Sequence, residues 1–262
     1  VTALLVVIAV GLGLIVGSFL NVVIHRVPLG ESVVRPRSAC PGCGVPIAAR
    51  DNVPVVSWLL LRGRARCCGT PISPRYLLVE LGTGVAFGTL AGVMGLVAEL
   101  PAFGYLAAIS IALAVIDLRV HRLPDVIVLP SYPVGALLLL VPTVVDRDPG
   151  AALRALAGAA ALFVLYGTLW VVKPGGMGLG DVKLSGVLGM YLGWLSWAHL
   201  VVGAFLGFLV GGLVGAVLIA NGRTGWKSKI PYGPSMLAGV WVAVAFARPV
   251  ADWYLRMTGI SG

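Results

Sequence analysis

Apolar runs of about 20 residues, the length one helix needs to cross the hydrocarbon of a bilayer, recur along nearly the whole chain. They fall at residues 1–24, 77–98, 101–116, 126–145, 151–172, 184–200, 201–220 and 234–254, the sixth and seventh meeting in a tight turn around His199. The first reads as a span and not as a cleavable leader, because no basic residue precedes it. A spanning segment must satisfy its own backbone hydrogen bonds, so runs of this kind become helices. The expected fold is therefore an all-α integral membrane protein, a polytopic bundle of about eight transmembrane helices. Composition agrees: of 262 residues, 59% are apolar and only 11% charged. Ordinary soluble domains carry about 25% charged residues. A cytosolic globular enzyme, a disordered chain and a nucleic-acid-binding module are all excluded as primary readings.

The net charge of +9 reflects topology. With the first span starting outside, the loop at residues 25–75 is cytoplasmic and holds eight Arg against Glu31 and Asp51. Arg119, Arg122, Lys173, Lys183, Arg223, Lys227 and Lys229 fall on the same side, whereas only Arg147, Arg154, Arg248 and Arg256 fall outside. An excess of basic residues on one side in every loop places that side in the cytoplasm and both termini outside.

The 25–75 loop is polar and rich in Pro and Arg, and all four cysteines lie in it: Cys40, Cys43, Cys67 and Cys68. It is too long for a helix–helix turn and too short for an independent apolar core. Under reducing conditions such thiols point to a zinc-stapled subdomain. The first pair has the two-residue spacing of a zinc knuckle. The second pair is adjacent, and adjacent side chains point apart in an extended chain, so both reaching one metal requires a distorted turn. A partial site with free thiols is the alternative.

Four carboxylates stand in apolar surroundings: Glu80, Asp117, Asp125 and Asp181. An ionised carboxylate there is expensive and marks function by default. Asp117 directly follows an apolar run, and Asp181 opens another after the glycine-rich stretch from Gly175 to Gly180. Both belong to the cytoplasmic face. Two carboxylates side by side share a proton, so that one activates water while the other donates to a carbonyl oxygen, the division of labour that peptide hydrolysis needs. The spacing also allows Asp181 as a helix cap and Asp117 as a partner of Arg119 or Arg122. Transporters carry membrane aspartates and glycine breaks as well.

Five blocks, in order, carry a resemblance over residues 17–239. They are Gly17 to Pro28 (GSFLNVVIHRVP), Asn52 to Gly63 together with Pro71 to Tyr76 and Glu80, Asp117 to Asp125, Gly178 to Lys183 (GLGDVK), and Ile230 to Pro234 (IPYGP). In these blocks the chain resembles the bacterial type IV prepilin peptidases. The resemblance implies a membrane aspartic endopeptidase that removes the basic leader of prepilins and pseudopilins at the cytoplasmic face of the bacterial plasma membrane. It also implies N-methylation of the freed terminus with S-adenosylmethionine. Asp117 and Asp181 carry over as the catalytic pair, with Asp125, Gly178, Gly180, Lys183 and Glu80 in supporting roles. For Glu80 the alternatives are a structural partner of Arg75 or Lys183, a substrate contact, or part of the methyl-transfer site.

The implied division is a first transmembrane helix (1–24), a cytoplasmic loop with zinc and methyl-transfer roles (25–75) and a transmembrane peptidase domain (76–262). One departure stands out: Ala65 occupies the place of the family's third cysteine, with Cys67 as an extra neighbour of Cys68. Rival readings are a peptidase without methyl transfer, an ion-coupled transporter and a scaffold for pilus-assembly proteins. No nucleic acid is expected as a partner, and membrane lipid surrounds the bundle. The residues that bind S-adenosylmethionine and the oligomeric state have no signature in the sequence.

Overall fold

In the computed structural model, residues 2–173, 175–221 and 231–258 are described, excepting the side chains of 248–258. Among them the helices are α1 (Thr2–Arg26), α2 (Val56–Leu60), α3 (Pro74–Met94), α4 (Leu100–Val120), α5 (Asp125–Val128), α6 (Ser131–Val145), α7 (Pro149–Val172), α8 (Leu179–Leu195), α9 (Trp197–Ala220) and α10 (Gly233–Thr258). A helix thus stands at each expected span, and within the described residues six segments are long and apolar enough to cross a membrane. The helix α8 is shorter, at 17 residues, which is at the lower limit for a span. Arg223, Lys227, Lys229 and Ile230, and the side chains of Arg248, Asp252 and Arg256, lie outside the described residues.

Local chemistry sets the helix starts. Ser73 accepts from the Arg75 amide at 3.3 Å with Pro74 in the first turn, and Asp148 accepts from the Ala151 amide at 3.1 Å ahead of Pro149. Each side chain satisfies a donor that the first turn leaves unpaired, and proline costs nothing there. The Arg154 guanidinium beside Asp148 holds that carboxyl below its ordinary range. Between α8 and α9 the break falls at Ser196, not at His199. Ser196 is extended (φ −178°, ψ 168°), and its hydroxyl accepts from the His199 amide, which puts His199 in the first turn of α9. The sixth helix accordingly begins about one turn before the apolar run and ends before it. At the other site of interest, α4 continues through Asp117 to Val120, and His121 ends it in the left-handed region (φ 53°).

The chain divides into two compact units, Val1–Val115 and Ile116–Gly262. In the first, α1 and α3 run antiparallel with their backbones in contact. A Cβ at Gly13 would lie 2.6 Å from the Thr83 carbonyl oxygen. The outer face of α1 presents Leu4, Val7, Ile8, Leu12, Ile15 and Phe19, all more than half exposed. Leaving a side chain of this size in water forfeits about 1.5–3 kcal/mol each, so this face belongs in lipid.

In the second unit α8 is the central helix. It packs on α5, α6, α7, α9 and α10, and every residue from Asp181 to Trp194 except Lys183 is buried. That burial explains its short length and its small residues: it faces protein on all sides, where close approach matters more than apolar surface.

Candidate active site

Asp117 is 4% exposed in the last turn of α4, and its Oδ2 accepts the Gly233 amide at 3.1 Å. Neither Arg119 nor Arg122 is its partner. Asp181 is 8% exposed at the third position of α8, where its Oδ2 accepts the Gly178 amide at 3.0 Å. It therefore caps the helix from inside the first turn, and the capping oxygen leaves the other free for chemistry.

Leu123, buried between the two aspartate segments, brings them together. A Cβ on Gly180 would stand 2.9 Å from Leu123 Cβ, and one on Gly233 would stand 3.2 Å from Leu123 Cδ2 and 2.9 Å from Asp117 Oδ2. Larger residues at 180 or 233 would push the segments apart. Asp117 and Asp181 are close enough for their charges to act on one another. Tyr166 and Tyr232, whose ring centroids lie 6.1 Å apart, also stand within electrostatic reach of Asp181. Sequence reasoning missed Leu123 and the two tyrosines, since nothing marks an apolar residue or a ring as neighbour to a distant carboxylate.

The supporting residues fall into two places. Lys183 Nζ donates to both oxygens of Asp125 at 2.8 and 2.7 Å, and the Lys183 carbonyl accepts the Tyr132 hydroxyl at 2.7 Å. This ties the loop after α4 to the start of α8, next to the carboxylate pair, and Asp125 is already engaged by a cation of this chain. Glu80 lies in the other unit. It is 8% exposed in α3, and its Oε2 accepts the Val55 amide at 2.7 Å, so its partner is a backbone group of the loop and not Arg75 or Lys183.

The loop forms two turns of one design. In the first, the Cys40 amide donates to the Val45 carbonyl and the Gly44 amide to the Cys40 carbonyl. In the second, the Ala65 amide donates to the Thr70 carbonyl and the Gly69 amide to the Ala65 carbonyl. Gly44 and Gly69 hold the same left-handed conformation, at φ 72° and 71°. Ala65 thus stands where the first turn has Cys40, and Cys68 stands where it has Cys43. The adjacent Cys67 supplies the fourth sulfur, because residue 67 sits at the crown of a tight turn and not in an extended chain.

All four Sγ atoms lie within 4.8 Å of one another, with Cys40–Cys68 at 3.5 Å and Cys43–Cys67 at 3.2 Å. Four thiolates about 2.3 Å from one tetrahedral metal stand about 3.8 Å apart, so the donor set fits a metal ion with small adjustments. The Thr70 hydroxyl and amide hold the Cys68 thiol down to about 6, whereas the Cys43 thiol pushes Cys67 up to about 12.

Fold and site together define a class: a multi-pass helical membrane protein that buries an interacting pair of carboxylates at the ends of its helices. Comparison with known proteins narrows it. A family model described as the bacterial peptidase A24 N-terminal domain matches residues 12–94, and that of the type IV leader peptidase family matches residues 104–220. A prepilin leader peptidase/N-methyltransferase of Aeromonas hydrophila is 36% identical, over 92% of this chain and 91% of its own length. One from Burkholderia pseudomallei is 38% identical over 96% and 87%, and one from Klebsiella pneumoniae 44% over 70% and 82%. No solved structure matches the chain. The chain belongs to the type IV leader peptidase family.

Proposed function

We propose that this protein removes the leader of type IV prepilins and pseudopilins with a water held between Asp117 and Asp181, and that it then methylates the new amino terminus. The observation that supports the reading is the packing of the two buried-aspartate segments on Leu123, through Gly180 and Gly233, in a chain whose relatives are named for both activities. One carboxylate, ionised, takes a proton from the water as its oxygen adds to the scissile carbonyl carbon. The other, protonated, gives its proton to the carbonyl oxygen. When the tetrahedral intermediate collapses, the C–N bond breaks, the amide nitrogen takes the proton held by the first carboxylate, and the second recovers its own. Gly233 donates its amide to one oxygen of Asp117 and Gly178 to one of Asp181, which holds each group in place for this exchange.

The basic asymmetry of the loops supports an active site at the cytoplasmic face of a multi-pass plasma-membrane protein, where a substrate anchored by its own apolar helix presents the leader junction. S-adenosylmethionine supplies an electrophilic methyl group to the freed amine. The four thiols of Cys40, Cys43, Cys67 and Cys68 would hold zinc as a staple for the 25–75 loop, outside the chemistry. Purified protein is then expected to contain about one zinc per chain. Cys43→Ser is expected to lower that content and to make the loop the first site of proteolysis. Zinc near zero in the parent protein, by elemental analysis, would remove the staple.

The decisive experiment is co-expression with a prepilin in the presence of labelled S-adenosylmethionine. The pilin should shorten by the length of its leader and carry label on its first residue. A pilin of unchanged length would overturn the peptidase reading, and a shortened but unlabelled one the methyl-transfer reading.

A further inference from the structure

Within the first unit, the polar loop between α1 and α3 carries an apolar surface of its own. On the five-residue helix α2, Val56, Leu59 and Leu60 stand at positions i, i+3 and i+4 and so share one face. Val56 and Leu59 are about half exposed, and Leu60 is 77% exposed. The opposite face is pinned. The Ser57 hydroxyl accepts the Val53 amide and donates to the Arg50 carbonyl, both at 3.0 Å, and the Trp58 indole donates to the Ile72 carbonyl at 3.3 Å. These bonds turn the apolar face away from the loop.

The depth of that face in the bilayer follows from Glu80. Helix α3 has 21 residues, a length of about 31 Å, which matches a hydrocarbon core of about 30 Å. Its first residue, Pro74, therefore stands at the edge of that core, and Glu80 lies about 9 Å farther in along the axis. Helical side chains lean back toward the helix start, so the Val55 amide, 2.7 Å from Glu80 Oε2, sits several ångströms inside the edge. Helix α1 gives the same answer. Gly17, where a Cβ would stand 2.7 Å from Glu80 Cα, lies about 13 Å before the end of α1 at Arg26. Since α2 begins directly after Val55, it starts at the depth of an interfacial helix, whose apolar face rests about 5–10 Å into the boundary of headgroups and acyl chains.

Arginines frame the face. Arg62, which ends α2 in the left-handed region (φ 52°), and Arg64 are exposed and form no ion pair among the described residues. Asp51, the nearest acid in the loop, is taken by Arg66 at 2.8 Å. An aliphatic face beside unpaired guanidinium groups, where acyl chains give way to phosphates, complements an anionic phospholipid. A soluble partner would have to reach below the headgroups to cover it. We propose that α2 is an interfacial helix, with Val56, Leu59 and Leu60 resting on acyl chains and Arg62 and Arg64 binding the phosphates of anionic lipids. The inference is independent of both proposed activities.

The test places a nitroxide at position 60, through p-acetylphenylalanine in place of Leu60 so that the cysteines stay untouched. Full-length protein is studied in nanodiscs with and without phosphatidylglycerol in phosphatidylcholine. With phosphatidylglycerol, oxygen, which concentrates among acyl chains, should relax the nitroxide more strongly than a water-soluble nickel chelate does. Without it the oxygen-to-nickel ratio should fall by about half or more, and Arg62→Gln/Arg64→Gln should show the lower ratio in both lipids. A nitroxide that the nickel chelate reaches more readily than oxygen in both lipids overturns the proposal. Shielding that appears only on adding prepilin, or only at high protein concentration, also overturns it, because a polypeptide then covers the face. An oxygen preference that is the same in both lipids and in the double variant overturns the role of the arginines.

Discussion

Asp117→Asn and Asp181→Asn are each expected to stop leader removal, with a loss of at least about 10³-fold in kcat measured against a purified prepilin. Asparagine has the shape of aspartate and keeps an oxygen for the Gly233 or Gly178 amide, so helix ends and packing are preserved. What it lacks is a group that can take a proton from water or give one to a carbonyl oxygen. In the proposed mechanism the carboxylates act as one unit, so removing either should cost about as much as removing both, and the double variant should be no worse than the singles. Cleavage at the parent rate by either single variant, in protein that inserts normally, would exclude the pair as the catalytic centre.

The second large effect concerns the fold that holds the pair. Gly158 of α7 and Gly189 of α8 lie backbone to backbone: a Cβ on Gly189 would overlap the Gly158 carbonyl and stand 2.8 Å from its carbon. Neither atom can swing aside as a side chain would. Gly189→Val must therefore separate α7 from α8, at a cost of about 3 kcal/mol or more, and lower the unfolding midpoint in detergent by roughly 10 °C. Gly212→Val is the control, since a Cβ at Gly212 on α9 meets nothing within 4 Å. Its midpoint should stay within a few degrees of the parent. Equal midpoints for the two variants would show that the α7–α8 contact is not limiting for stability.

Much of this was legible beforehand, and the reason is locality. Helix positions follow from runs of apolar residues, a property of each segment taken alone. The special status of Asp117 and Asp181 followed from the cost of charge in apolar surroundings, and a family resemblance singled them out. Locality also set the limits. The hydropathy of α8 shifts across the true helix, because this segment is covered by protein and not by lipid. The partner of Glu80 is a backbone amide at Val55, which no charge pattern can announce. The adjacency of Cys67 and Cys68 reads as an obstacle only while the chain is imagined extended.

By itself, then, the sequence determined that the chain threads a bilayer as a series of helices, which face is basic, and which few polar groups lie where polarity is expensive. Only the tertiary structure decided which of those groups come together: the Asp117 and Asp181 segments on Leu123, Lys183 with Asp125, Glu80 with Val55, and four thiols at two matched turns. Helices within a membrane find their partners through close contacts of small residues; a four-residue spacing such as that of Gly203, Gly207 and Gly211 on α9 marks the face that is packed but not the helix that packs on it.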